Sequence, residues 1–346
     1  MIKFICLFLV MQSLVLPVSA LDIKAPDVPI SSAQIMPKET TSFGTGLIEL
    51  LQNTLQLLHP DLTAVYKISI KIMAIVMTVS MIQSSSENIK HVADLSGVMA
   101  VSTVLLGDTD TMIRLASQTI HELSDYGKLL FPVMATAMAA QGNITASTSN
   151  YIGTSIFDTI AASLISTLFV PLVYFFLTLS IANSAVGEDI LKKLSSLLKG
   201  FINWCLRTLL IIFTTYMSIT GIVSGTADAA TLKAAKVTIS SIVPVVGGIL
   251  SDASETILVS VGLMKNAAGI YGILAVLAIF LKPFMRIGLH YLLLKTTGII
   301  CSLFATKRLS ELIEDFSNGL GILLAMTASM CLLLLIGTIC FMKGVG

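Results

Sequence analysis

Residues 319–342 carry no charged side chain, and residues 152–182 carry only one, Asp158. Runs this long and this free of charge meet the length of about 20 apolar residues that a helix needs to cross a hydrocarbon core about 30 Å thick. Further apolar runs lie at 65–82, 92–106, 201–223 and 267–291. With 55% hydrophobic and 12% charged residues among 346, the chain has too few charges to cover a soluble globule of its size. The expectation is an all-α, polytopic membrane protein with about six transmembrane helices. Its net charge of +1 offers nothing to a nucleic acid or to an acidic partner.

Residues 1–20 read as a signal peptide: Lys3, an apolar stretch from Phe4 to Leu16, and small residues at Val18 and Ala20, with cleavage after Ala20. A retained anchor is the alternative, and either way the chain continues on the outer face. Residues 21–64 read as an extracytoplasmic linker with Pro26, Pro29 and Pro37, followed by an amphipathic helix carrying Leu50, Leu51, Thr54, Leu55 and Leu58. His59-Pro60-Asp61 reads as a helix stop and a new N-cap. Residues 65–106 form a membrane hairpin, although Lys67 and Lys71 lie near its start.

The stretch 224–269 differs from everything around it. Leu232, Ala235, Ile239 and Val243 recur at helical spacing opposite Asp228, Lys233 and Lys236, and then Pro244 and Gly247-Gly248 interrupt a short apolar patch. That patch reads as a re-entrant hairpin, or as a kinked crossing helix packed by its neighbours. An analogous order precedes it: a polar helical segment at 107–128, a patch around Pro132, a span broken by Pro171, a basic segment, and a last span. Pro132 and Pro171 are 39 positions apart (171 − 132), as are Pro244 and Pro283 (283 − 244). Leu194, Ser195, Leu197, Phe201 and Asn203 match Leu309, Ser310, Leu312, Phe316 and Asn318 at a constant offset of 115 (309 − 194). The chain therefore reads as two parallel membrane repeats, 107–223 and 224–346, each with a re-entrant or broken hairpin. Lys192, Lys193 and Lys199 would share the cytoplasmic side with Lys307 and Arg308, and residues 107–150 and 224–265 would lie outside.

No phosphate-binding loop, nucleophile elbow or zinc-protease motif is present, and His59, His91, His121 and His290 lack metal-ligand spacing. An enzyme is not expected, nor a cofactor or metal. Cys205, Cys301, Cys331 and Cys340 lie in or beside apolar runs without a CxxC pair and read as packed thiols. Three features rise above this background. Lys282, Arg286 and His290 form a basic stripe at steps of four, either snorkelling at the interface or lining a pathway or partner contact. Asp158 either sits near the outer interface or pairs inside the membrane with Arg286 or Lys282. The two outer amphipathic segments either cap the bundle or dock extracytoplasmic partners, with Lys233 and Lys236 as candidate contacts.

The strings VSGTADAATLKAAK, SSIVPVVGGILSDASET and KNAAGIYG resemble the stage III sporulation protein AE family of endospore-forming bacteria. The resemblance falls on Gly225, Asp228, Pro244, Gly247, Gly248 and Asp252, which it marks as structural positions, and it supplies no catalytic residue. The first repeat has Ala135 and Thr136 where the glycines would fall, which sets the Pro132 patch apart. The family likeness implies a membrane subunit of the channel complex joining mother cell and forespore, placed in the mother-cell membrane around the forespore and needed for late forespore development. It implies other membrane proteins of that complex and the bilayer as partners, leaves a homo-oligomer open, and involves no nucleic acid. A self-contained secondary transporter of a small solute is the alternative reading, because repeats, broken helices and intramembrane charges suit one; a purely structural scaffold is a third.

Overall fold

The computed structural model describes residues 25–37, 43–85, 89–140, 144–219 and 267–343, and every regular element among them is helical. Short α1 (Ile30–Ala33) and amphipathic α2 (Phe43–Leu57) lead into α3 (His59–Ser85) and α4 (Lys90–Ala140). Then come α5 (Ile144–Leu164), a π-helical turn (Ile165–Phe169), α6 (Val170–Val186), α7 (Asp189–Ile219), α8 (Ala267–Cys301) and α9 (Lys307–Lys343). Among the described residues six stretches are long and apolar enough to cross a membrane: Pro60–Ser84, Lys90–Ala139, Ser147–Val186, Asp189–Met217, Gly269–Cys301 and Lys307–Met342. They take up the six expected spans in order. The chain is an all-α polytopic membrane protein. The signal segment and the patch holding Gly225, Asp228, Lys233, Lys236, Pro244, Gly247, Gly248 and Asp252 lie outside the described residues.

Helix α9 is the axis of the bundle. A helix apolar on every side can be satisfied only by burial on every side, and residues 319–335 are buried at each position. Helices α8, α4, α6, α5 and α7 surround it. Three of its buried hydroxyls turn back on their own backbone: Thr327 donates to Leu323 O, Ser329 to Ala325 O and Thr338 to Leu334 O, at 3.1, 2.7 and 2.8 Å. Each thereby fills its hydrogen bond without a partner on another helix.

Close approach to this axis depends on glycine. A Cβ on Gly127 of α4 would lie 2.5 Å from the Leu334 side chain, and one on Gly337 of α9 would lie 2.9 Å from Thr154 and 3.1 Å from Phe131. Small residues of this kind let helices pack by van der Waals contact where lipid supplies no hydrophobic drive. Gly127→Val is accordingly expected to lower stability by about 1–3 kcal/mol through overpacking. A melting curve of the purified protein in bilayer discs checks this; an unchanged curve would mean that α4 and α9 are not in contact there.

The prolines behave differently from expectation. Pro132 does not open a re-entrant patch: α4 runs unbroken through it for 51 residues. An internal proline costs about 3 kcal/mol, and the buried neighbours Leu130, Phe131 and Met134 hold the helix together across it. Residues 107–128 are therefore not a separate outer element but the middle of α4, with Met112, Ile113, Ala116, Ile120 and Leu123 buried beneath. At about 1.5 Å per residue α4 is about 75 Å long, more than twice a hydrocarbon core, so it extends well past one. Pro171 falls in the first turn of α6, directly after the π turn, where the widened loop absorbs the missing N–H and the helix continues. Pro283 also sits within an unbroken helix, α8. At His59-Pro60-Asp61 the stop falls one residue early: α2 ends at Leu57, α3 begins at His59, and Leu62 N donates to Leu58 O at 3.2 Å across the joint. Leu50 and Thr54 of α2 and Leu58 just after it turn inward, whereas Leu51 and Leu55 are exposed.

The α6–α7 and α8–α9 turns meet at one end of the bundle. Gly187, at φ +83°, closes α6 in the left-handed conformation that favours glycine, and its N–H donates to Asn183 O at 2.7 Å. The Arg308 guanidinium lies over this turn and reaches Ala185 O at 3.5 Å, a cation placed at a helix C-terminus. Lys192 meets Glu311 at 2.7 Å and Lys295 meets Glu314 at 2.9 Å. The lysines at 192, 193 and 199 thus share an end with Lys307 and Arg308, as their spacing suggested. The two hairpins differ in depth: α9 is buried at every position from 319 to 335, while α7 exposes Leu197, Trp204, Ile211 and Ile212.

Candidate functional site

The basic stripe on α8 faces acids on two neighbouring helices. At steps of four residues, Lys282, Arg286 and His290 share one face of α8, and that face packs on α3 and α4. His290 Nδ1 stands 2.9 Å from Asp108 Oδ2, with both side chains buried, at 4% and 13% exposure. With the ring proton on Nδ1, the imidazole donates to the carboxylate. One turn away, Arg286 Nε meets Asp61 Oδ1 at 3.1 Å as an ion pair, out of line for a hydrogen bond. Lys282 makes no ion pair with a described residue. The seam therefore joins the midpoints of α8 and α4 to the start of α3. Its acids, Asp61 and Asp108, escaped sequence reasoning, because Asp61 read as a cap and Asp108 as part of an outer polar segment. The usable signal was that Asp108 follows directly on the apolar run 92–106.

Asp158 does not join this seam. The pairing with Arg286 or Lys282 is overturned: Asp158 Oδ2 accepts from Ser124 Oγ at 2.8 Å, and the residue is 2% exposed between α4 and α9. The reason is rotational. Asp158 lies on the face of α5 turned toward Gly127 of α4, whereas Asp108 serves α8 from another part of α4, so the two sites occupy different contacts.

A third polar region lies on the outer face of α4. Thr111, Arg114, Gln118, His121, Asp125 and Lys128 are exposed at helical spacing. Arg114 donates to Asp110 at 2.8 Å, Tyr174 Oη donates to the other Asp110 oxygen at 2.7 Å, and Glu122 accepts from Gln118 and Ser31 at 2.8 and 2.9 Å. A groove of about 470 Å³ between α4 and α6 is lined by Arg114, Ser117, Gln118, His121, Val170 and Tyr174, among others. His121, exposed on α4, forms part of its rim. Alongside, α5, the π turn and α6 expose Ile156, Ile160, Leu168 and Phe175. Two contacts bracket this pairing of faces, Tyr174 with Asp110 and Asp158 with Gly127. A wholly polar face and an apolar one thus stand side by side over the same length of helix. Among the described residues no group of three His, Cys, Asp or Glu is placed to hold a metal ion, and Cys205, Cys301, Cys331 and Cys340 are free thiols.

One curated relative, Stage III sporulation protein AE of Bacillus subtilis (strain 168), is 23% identical over 189 residues, which is 55% of this chain and 47% of the relative. The chain thus spans about half the length of the curated relative it matches. No solved structure matches. The family profile described as Stage III sporulation protein AE matches residues 34–346, from the linker before α2 to the last residue. On that match over most of its length, the chain belongs to the stage III sporulation protein AE family.

Proposed function

We propose that the chain is a membrane subunit of a transenvelope channel complex connecting mother cell and forespore during sporulation, and that it is required for late forespore development. Family membership over residues 34–346 supports the setting. The observation that carries the conduit reading is the exposed polar face of α4 from Thr111 to Lys128, next to the apolar face of α5 and α6. Ionisable side chains at bilayer depth face protein or a water-filled cavity, not lipid. In the assembled complex this face of α4 borders water, and the end holding Lys192, Lys307 and Arg308 lies in the cytoplasm of the mother cell. The opposite end, with the segment carrying Lys233 and Lys236, faces the space between the two membranes and meets other membrane proteins of the complex. No chemical step is assigned to the chain.

The ionisable groups gathered along the α8 seam, Asp108, His290, Arg286 and Asp61, favour a second reading, a self-contained secondary transporter. Reconstitution separates the two. In liposomes holding the chain alone, the channel reading predicts no saturable solute uptake, with flux arising only when partner membrane proteins are added. Saturable uptake by the chain alone would select the transporter.

A further inference from the structure

Helix α5 is amphipathic in the inverted sense. Its outward residues are Ile152, Ile156 and Ile160, each about half exposed, while Ser147, Asn150, Thr154 and Asp158, at steps of three, four and four, are buried at 4% exposure or less. Three of these inward groups have partners. Ser147 donates to Ala135 O at 2.6 Å, the Asn150 amide reaches the Met138 sulfur at 3.7 Å, and Thr154 donates to Asn150 O at 2.7 Å. Asp158 closes the stripe with a single bond from Ser124, and its Oδ1 has no partner.

The surroundings offer this carboxyl no buried countercharge; the cation nearest to it, Lys128, is at the surface. On α4, Asp125 and Lys128 pair with each other at the surface at 2.8 Å, both more than half exposed. On α9 no charged residue lies between Asp315 and Lys343, and on α7 the Tyr216 hydroxyl that faces α5 donates to Ser149 O at 3.1 Å. A carboxylate with one hydroxyl donor and no cation costs several kcal/mol to bury, and such groups neutralise instead. Gly127 and Gly337 bring α4 and α9 so close that even a Cβ would clash, so the closed packing leaves little room for a hydrated cation.

We propose that Asp158 is a proton-binding site: its carboxyl is the neutral acid while α4, α5 and α9 are closed on it, and it loses the proton to solvent only when they part. The stripe Thr154, Asn150 and Ser147 continues its face for about 16 Å at 1.5 Å per residue, toward the α4–α5 connection. That edge supplies the route by which a proton leaves and returns. Opening of the bundle is thereby linked to proton release, whatever passes through the complex.

Infrared pH titration of the reconstituted full chain tests this. The carbonyl stretch of a protonated carboxylic acid should be present at neutral pH, vanish at alkaline pH, and be missing from Asp158→Asn. Because the folded state keeps a proton that the unfolded chain gives up, the unaltered protein should lose melting temperature as pH rises through that transition, while Asp158→Asn should not. No such band in the unaltered protein at neutral pH, or the same band in Asp158→Asn, would overturn the proposal. So would a melting temperature that follows sodium concentration and not pH, which would assign a cation in place of the proton. If Asp158→Asn fails to accumulate, dicyclohexylcarbodiimide on the unaltered chain decides: modification mapped to Asp158 and not to Asp125 supports the site, and none at Asp158 contradicts it.

Discussion

His290→Leu is expected to lower stability by about 3–5 kcal/mol, because it leaves the Asp108 carboxylate buried and unpaired between α4 and α8. The pair stands at 2.9 Å with 4% and 13% of its side chains exposed, so water cannot replace the lost partner without opening the seam. Asp108→Leu should cost a similar amount, since it strands the imidazole. The double variant His290→Leu with Asp108→Leu should recover most of the loss, because apolar residues of similar volume can fill a buried ionic site at little cost. Melting curves of the four proteins in bilayer discs form the cycle. Additive losses would mean that the two residues do not interact. The exposed pair Lys128 and Asp125 is the contrast: breaking it should move stability by at most about 1 kcal/mol.

The second large effect concerns α9. Leu323→Ala should cost about 2–5 kcal/mol, the range for a truncated and fully buried leucine. Leu323 is 0% exposed in the middle of the helix that every long neighbour but α3 packs against. Ile211→Ala, on the outer face of α7 at 58% exposure, removes a similar side chain and should cost well under half as much. Equal losses at the two positions would mean that α9 is one peripheral span among six. The same burial explains why α9 tolerates Thr327, Ser329 and Thr338, whose hydroxyls bond within the helix.

Much of this architecture was legible in the chain. The six spans follow from charge-free runs, because the cost of burying a charge in hydrocarbon is large enough to dominate every local preference. The hairpin of residues 65–106 survived two lysines because Lys67 and Lys71 both point outward from α3. The uncharged run of α9 announced a span, and its apolarity on all sides was a signal for the central position that length alone did not convey. Proline misled. A proline removes one hydrogen bond and crowds one carbonyl, and a long packed helix can absorb that locally, by burial around Pro132 and by a π turn before Pro171. The charge pairs were illegible for a different reason. Spacing placed Lys282, Arg286 and His290 on one face, but nothing local tells which helix that face will meet. One of the two readings of Asp158 therefore paired it with Arg286 or Lys282, which it does not meet, and Asp61 and Asp108 were passed over. The inverted face of α5 was present in the spacing of Ser147, Asn150, Thr154 and Asp158, and reading polar residues as outward hid it.

The account stands most directly on the outer face of α4. Single cysteines placed in turn at residues 111–128, in a background lacking Cys205, Cys301, Cys331 and Cys340, would be treated with a membrane-impermeant maleimide in membranes holding the assembled complex. The account predicts modification at positions 111, 114, 118, 121, 125 and 128 and protection at the buried positions 112, 116, 119, 120 and 123. Protection along the whole face in the assembled complex, with labelling restored only by detergent, would contradict it.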